Sequence, residues 1–508
     1  MLRTLLSAHI DFDIGDELLM AKHCKVEDGK LYVGRIAYDA VIIPPSVTLV
    51  ENTVKLLLEF ADFGGRIIAL EPAPFLIDGE QKEAIKDLMS RALKINKIDL
   101  ATLVSALDGI PKPIIMEGDE KGEVLHHLRQ DESGTLILFL ANSSRENSYN
   151  LKLTLSGSFN VEFWDPMSGE KRDYSSVIND RKTCWDVRLE PIGSALFVLK
   201  PDTRKSKFST EELVKVYEVS ISGLWRIKRL NPNILVLDYC RYRIGNVWSE
   251  LMPVWRAHNF IVQNGFGTKF SVRFEFESSI DLKDKNLYLV VERPEAFKIY
   301  VNNVKVECEA SKFWLDWNFP MIDVSGLIIK GLNIVELEGR VDLEPELENI
   351  YLLGDFGVKI GAKGSFKIID EPSVINLGDL CQLGYPFYAG EIEISKDVNL
   401  DVPEDVIATL QLNGLSSSLA IVYVNGKEAG KVLLSSYTVD ITGLLKSGNN
   451  EIKILLVGNL RNALGPLHHK LGDPQYISPE TFRDLTQWTD EYMLRPFGIK
   501  GVKILMFR

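Results

Sequence analysis

The stretch "IDFDIGDE", residues 10–17, sets four carboxylates in eight positions. Two carboxyl groups are the minimum equipment for cleaving a glycosidic bond: one protonates the leaving oxygen while the other activates water or attacks. On a strand, Asp11 and Asp13 would share a face with Cα atoms roughly 6.6 Å apart, at the low end for an inverting pair. The direction of the side chains counts against that role. The carboxylates of such a pair must flank the scissile bond, and i, i+2 neighbours on a strand point the same way. Asp16, ahead of "ELLMA", reads more simply as a helix N-cap, with Glu17 favoured at the positive end of the helix. Asp11, Asp13 and Glu17 stand as the candidate catalytic residues, beside a metal or cross-domain role for the same cluster.

Histidine pairs offer the next chemistry. His126 and His127 in "EVLHHLR" alternate faces on a strand and cannot share a metal, so one is expected buried and the other exposed. In "GNLRNALGPLHHK", residues 458–470, His468 and His469 follow a Gly-Pro turn, with Arg461 and Asn462 nearby. Such a loop supplies the donors and acceptors that hydroxyls or a carboxylate would use. Recognition and a purely structural crossover both fit it.

Other chemistries lack their signatures: the sequence has no G-x-S-x-G elbow, P-loop, H-E-x-x-H or G-x-G-x-x-G. The five cysteines (Cys24, Cys184, Cys240, Cys308, Cys381) are scattered singly, which suits reduced core thiols rather than a zinc site or disulfide framework. No cofactor is implied. Jelly-roll loops often hold a structural calcium among their oxygens, but no Asp-rich loop here requires one.

The elements that would position these residues change character along the chain. "YDAVIIPPS", "TLVENTVKLLLEFADFGG", "RIIALE" and "EQKEAIKDLMSRALKI" read as strand, helix, strand, helix, the order of a parallel sheet with crossover helices. "FADFGG" reads as a helix C-cap, not a phosphate cradle. From about residue 121, short strands such as "GTLILFLANSS", "YNLKLTL" and "TCWDVRLEP" follow one another without helices, as in a β-sandwich. Trp164 in "FWDPMSG" should pack at a hairpin base. The polar, charged "KPDTRKSKFSTEE", residues 200–212, is the best linker. Beyond it, "KFSVRFEFE" alternates and puts Phe270, Val272, Phe274 and Phe276 on one face.

An internal repeat then appears. "IYVNNVKV" with "DVSGLIIKGLNIVEL" matches "VYVNGKEAG" with "DITGLLKSGNNEIKI". In each copy a Tyr-Val-Asn opens a tight hairpin, and a Gly and an Asn recur eight and ten residues after an Asp: Asp323 with Gly331 and Asn333, Asp440 with Gly448 and Asn450. Asn-Gly tolerates the positive φ of the turn, and the Asp can cap one helical turn. Two tandem jelly-roll-like domains are the simplest account.

This repeat resembles the sugar-binding jelly rolls of the β-galactosidase superfamily. Together with "IDFDIGDELL", "FWDPMSGEKRDY", "LEPIGSALFVL", "YLLGDFGV", "GYPFYAG" and "GNLRNALGPLHH", in that order, nearly the whole chain resembles the C-terminal half of large α-L-rhamnosidase-like glycoside hydrolases. The resemblance implies a multidomain, mainly β chain. It would comprise an N-terminal α/β flavodoxin-like, doubly wound domain over 1–120, whose beginning need not be whole. A β-sandwich over 121–205 and two galactose-binding-like jelly rolls over 206–371 and 372–508 would follow. In that family an N-terminal barrel carries the catalytic carboxylates, and no eight βα units occur here. The chain is then a separately encoded half of a split enzyme, a reading frame that begins late, or a non-catalytic relative. A barrel supplied in trans should dock on an exposed apolar patch of the N-terminal domain. The alternative is a stand-alone, non-catalytic carbohydrate-binding or scaffold protein.

Carbohydrate is the expected partner. Pyranose faces are apolar and stack on flat rings, so the aromatic stretches are candidate sugar contacts, each against a core role. "KFWLDWNFP" offers Trp314, Asp316 and Trp317; "GYPFYAG" offers Tyr385, Phe387 and Tyr388; Trp248 and Trp255 add to them. With Arg461, Asn462, His468 and His469 these form the candidate carbohydrate-binding set.

Composition bounds the rest. With 508 residues, 45% hydrophobic and 25% charged, the chain is an ordinary globular one with three or four domains' worth of core. Its 71 acidic and 58 basic residues give a formal charge of −13, and no basic block forms a nucleic-acid footprint. No apolar run reaches bilayer length and the N-terminal one is too short for a signal peptide, so the expectation is no membrane partner and a cytoplasmic location.

Overall fold

The structure, a computed structural model, describes residues 1–97, 99–110, 112–201, 215–309, 311–342, 347–361, 363–474 and 476–508. Beyond Pro201, the linker expected at 200–212 lies outside the described residues. The protein is multidomain and mainly β, without a closed barrel among the described residues. It divides into two compact units, Met1–Glu212 with Leu434–Ser436, and Leu213–Leu433 with Tyr437–Arg508. Among the described residues no helix is long and apolar enough to cross a membrane.

The first unit opens with an α/β layer. Strands Ala40–Ile43, Arg66–Leu70 and Leu93–Ile95 pair in parallel. The central strand is apolar on both sides because helices cover both faces. Ile67 and Ala69 pack with Val54, Leu57 and Phe60 of the helix Glu51–Asp62 and Leu88 of the helix Glu83–Arg91. Ile68 and Leu70 meet Leu5 and Leu103 from helices Leu2–Ser7 and Leu100–Ala106. Gly64, at φ +83°, ends the helix Glu51–Asp62, as the C-cap reading requires. The tail of "SRALKI" is the third strand rather than more helix, since Ile95 has a core to enter beside Leu70. A β-sandwich follows. One sheet contains Val124–Gln130, Leu136–Asn142 and Ser194–Pro201, the other Tyr149–Ser156 and Lys182–Leu189, with Leu138, Leu153, Trp185 and Phe197 between them.

The second unit holds two further two-sheet cores. In one, the sheet of Asn233–Leu237, Ile350–Gly354, Leu287–Val290 and Met321–Asp323 faces a sheet built on Tyr239–Ile244, Lys269–Ser278, Gly331–Arg340 and Lys298–Val301. Phe270, Val272, Phe274 and Phe276 all enter that core, and Arg273 and Glu275 between them stay part-exposed. The other core lies between Ile407–Asn413 with Gly501–Phe507 and Glu391–Leu400 with Gly448–Val457. Its sheets also recruit Lys215–Ser220 and Trp225–Arg229, the first described strands of this unit, so this core is discontinuous in sequence. Both repeat hairpins turn through paired positive φ: Asn302 and Asn303 at 49° and 67°, Asn425 and Gly426 at 52° and 78°. Asp323 and Asp440 accept from the amides of Ser325 and Thr442, at 2.9 and 2.8 Å.

Candidate functional site

The N-terminal acidic cluster is spread among structural contacts. Asp16 caps its helix, accepting from the amides of Leu18 and Leu19 at 2.9 and 3.0 Å. Glu17 Oε1 accepts from the Val50 amide at 2.9 Å, at the N-terminus of the helix Glu51–Asp62. Asp13 receives the Tyr38 hydroxyl at 2.5 Å; burial first, then this carboxylate, pushes the Tyr38 phenol up to about 12. Asp11 Oδ1 lies 3.4 Å from His126 Nε2, and that histidine holds the Asp11 carboxyl below the usual carboxylate range. The His126 side chain is only 3% exposed and His127 is exposed, as alternation on the strand demands. The structure therefore does not bring Asp11, Asp13 and Glu17 together around one bond. Each is bonded in a different direction.

Loop 458–470 is also held by structural contacts, though Arg461 Nη1 is buried without a partner. Arg461 reaches Asp473 through Nε at 3.0 Å and the Gly472 carbonyl through a second nitrogen. Asn462 donates to the Arg495 carbonyl at 2.8 Å and accepts from the Arg495 amide at 2.8 Å, and Arg495 closes the set on Asp473. His469 is buried and bridges Trp488 through the backbone.

His468 organises a cluster that the sequence reading did not find. Its Nδ1 lies 2.9 Å from the Thr489 carbonyl and its Nε2 2.9 Å from Asp238 Oδ2, so both ring nitrogens face acceptors. Tyr492 donates to the other Asp238 oxygen at 2.6 Å; burial and that carboxylate raise its phenol well above the ordinary value. The imidazole stacks on Trp488 at 4.7 Å, and Tyr239, edge-on to it, donates to Asp490 at 2.9 Å. Asp238 and His468 are 5 and 6% exposed at their side chains, too little to meet a ligand. "QWTDEYM", residues 487–493, could have signalled this cluster by its aromatic and acidic density, but nothing near Asp238 in sequence marks its partner.

The aromatic candidates part company. Tyr385, Phe387 and Tyr388 are 2, 0 and 2% exposed. Phe387 packs on Phe366 and Tyr492, and the Tyr388 hydroxyl donates to the Glu391 carbonyl at 2.7 Å. These three rings are core and present no face to a ligand. The loop 311–320 differs. Trp314 anchors it, packed 4.8 Å from Tyr351 and 6.1 Å from Phe319. Asp316 Oδ1 accepts from the Asn318 amide at 2.7 Å, which fixes the turn. Trp317 is 78% exposed, with Phe313 and Leu315 also exposed on the same loop. An anchored loop that offers a free indole beside a carboxylate can stack a pyranose face and accept from its hydroxyls. Among the described residues no group of three or more His, Cys, Asp or Glu is disposed to hold a metal.

No family model matches the chain, and no curated protein does. Solved structures do. The rhamnosidase from Novosphingobium sp. PP1Y is similar over 98% of this chain and 36% of its own, with a TM-score of 0.50 at 14% identity. The chain thus spans about a third of that structure's length. An exo-carrageenase from Bacteroides ovatus is similar over 40% of this chain and 26% of its own (TM-score 0.25, 12% identity). The Streptomyces avermitilis α-L-rhamnosidase solved with L-rhamnose is similar over 68% of this chain and 36% of its own (TM-score 0.21, 11% identity). What the chain shares with the first of these is a glycoside-hydrolase-like, multidomain β fold.

Proposed function

We infer that the chain is the carbohydrate-recognising, accessory half of an α-L-rhamnosidase-like glycoside hydrolase whose catalytic barrel lies outside it, with Trp317 as its sugar-stacking ring. The observation that carries this reading is the anchored, 78% exposed Trp317 beside Asp316, on a chain whose fold follows a rhamnosidase structure along nearly its whole length. Docking of the barrel on the N-terminal domain is supported by the helix Glu17–His23, which packs Met20 against the core but leaves apolar surface out: Ile14, Leu18 and Leu19 are 77, 70 and 56% exposed. Two measurements test the reading: hydrolysis of aryl α-L-rhamnoside by the purified chain, and its binding of rhamnose-containing oligosaccharides by titration calorimetry. The expected result is no turnover, with binding that Trp317→Ala weakens at least about tenfold, the loss of one stacking ring. Turnover by the chain alone, or binding indifferent to Trp317, overturns it.

A further inference from the structure

The sheet built on Tyr239–Ile244 and Lys269–Ser278 gathers three arginines on its outer face, two of them over one indole. Even-numbered residues of both strands enter the core, which leaves Arg241, Arg243, Arg273 and Glu275 part-exposed on the outer face, with Ser271 buried among them. The register then sets Arg241 directly opposite Arg273 and Arg243 opposite Ser271. Like charges directly opposed across an antiparallel pair destabilise it. Here three arginines converge in a protein with a formal charge of −13.

Trp248, paired with Arg243 on the adjoining hairpin, holds this cluster together. The guanidinium carbons of Arg243 and Arg273 lie 4.7 and 4.3 Å from its indole centroid. Glu336 serves both arginines, at 3.5 and 3.1 Å. Arg241 instead donates to the Ser249 carbonyl at 3.1 Å and lies 3.9 Å from Glu250, which is 99% exposed. Glu338, opposite Ser271 and so in the cross-strand row of Arg243, accepts from the Tyr300 hydroxyl at 3.5 Å. Two guanidiniums therefore share Glu336, and the third has only an exposed carboxylate for an ion-pair partner. Arg273 Nε is buried without a partner, and the side chains of Arg241, Arg243 and Arg273 are 34, 32 and 30% exposed.

We propose that this Trp248-centred arginine cluster binds the acidic group of an anionic saccharide, a sugar carboxylate or sulfate ester. A guanidinium is a planar fork matched to such oxygens, and stacking on the indole holds it in place beforehand, so less freedom is lost on binding. The proposal rests on the carbohydrate reading above but uses a different surface from Trp317.

The experiment is calorimetric titration of the 508-residue chain with a galacturonate oligosaccharide, a sulfated galactan oligosaccharide and a neutral rhamnose-containing one. The acidic ligand should bind, Arg243→Gln should weaken it at least about tenfold, and the neutral ligand's affinity should not change. The arm that binds tells carboxylate from sulfate. Neutral binding without acidic binding, or acidic binding indifferent to Arg243→Gln, overturns the proposal and leaves the carbohydrate reading standing. No binding in any arm overturns both. Should Arg243→Gln lose its cooperative melting transition, Arg241→Gln and the salt dependence of the unaltered chain decide: affinity must fall as salt rises.

Discussion

Asn302 Nδ2 donates to Asn333 Oδ1 at 2.8 Å, and at the matching place in the second repeat Asn425 Nδ2 donates to Asn450 Oδ1 at 2.9 Å. Asn333 and Asn450 are fully buried. Each also donates to two carbonyls, of Ile329 and Gly331 or of Lys446 and Gly448, and accepts from the amide of Ile329 or Lys446. The hairpin asparagines complete the motif by accepting from the amides of Ile334 and Glu451. The repeated spacing is thus a device that ties a hairpin tip to the loop entering the next strand. Besides the link between the two side chains, each bond satisfies a part-buried main-chain group.

Replacing Asn333 or Asn450 with alanine should therefore cost about 2–4 kcal/mol, because a fully buried side chain is lost and several part-buried main-chain groups lose their partner at once. Urea unfolding of either variant should show a lowered midpoint. Equal stability of Asn333→Ala and the unaltered chain would mean water replaces the side chain.

The repeat, the parallel α/β layer and the alternation of Phe270 to Phe276 were legible because each rests on local spacing. Partnerships between distant segments were not. Asp238 and His468 are 230 residues apart in sequence, and neither is marked for the other. Aromatic residues mislead for a related reason: "KFWLDWNFP" and "GYPFYAG" are both dense in rings, yet one leaves Trp317 in solvent and the other buries all three of its rings. What separates them is the wall of neighbours, such as Phe366 and Tyr492 around Phe387, which only the fold supplies.

Phe387→Ala should behave as a core truncation, destabilising by about 3–5 kcal/mol through lost burial and a residual cavity. Glycan affinity measured well below the new melting temperature should stay as it was. A large loss of affinity with unchanged stability would restore Phe387 to the binding surface.

Glu17→Ala should cost about 1 kcal/mol, the worth of a capping carboxylate at a helix N-terminus. Asp16→Ala should cost a similar amount, through the amides of Leu18 and Leu19. Chemical denaturation measures both. A catalytic Glu17 would instead leave stability intact and abolish turnover in whatever assembly hydrolyses glycosides.

Acid should weaken the first unit through Asp119. Its carboxylate has no exposed side-chain surface, and Oδ2 lies 3.2 Å from His9 Nε2 while both oxygens accept main-chain amides, of Glu123 and Val124. Burial raises its pKa, but His9 and the two amides outweigh burial and hold it below the usual carboxylate range. A depressed folded pKa gives stability that is fully present above the unfolded value, near ~4, and that is lost as pH falls through the folded one. Urea stability of Asp119→Asn should lie below that of the unaltered chain at neutral pH, and the gap should narrow below about pH 4. A gap constant with pH would assign the loss to hydrogen bonding alone.

The Asp238–His468 pair is the strongest test of the second unit. Two ionisable side chains so deeply buried are expensive to desolvate, and removing one leaves the other without its partner. Asp238→Asn and His468→Gln should each destabilise by about 3–5 kcal/mol. The double variant should lose far less than their sum, because the second substitution removes a group already stranded by the first. Tyr492→Phe, which takes away only the 2.6 Å donor to Asp238, should cost about 1–3 kcal/mol. Simple additivity of the first two losses in a double-mutant cycle would show that the two side chains are not energetically coupled, and that the loop carrying His468 is held by its aromatic stacking on Trp488.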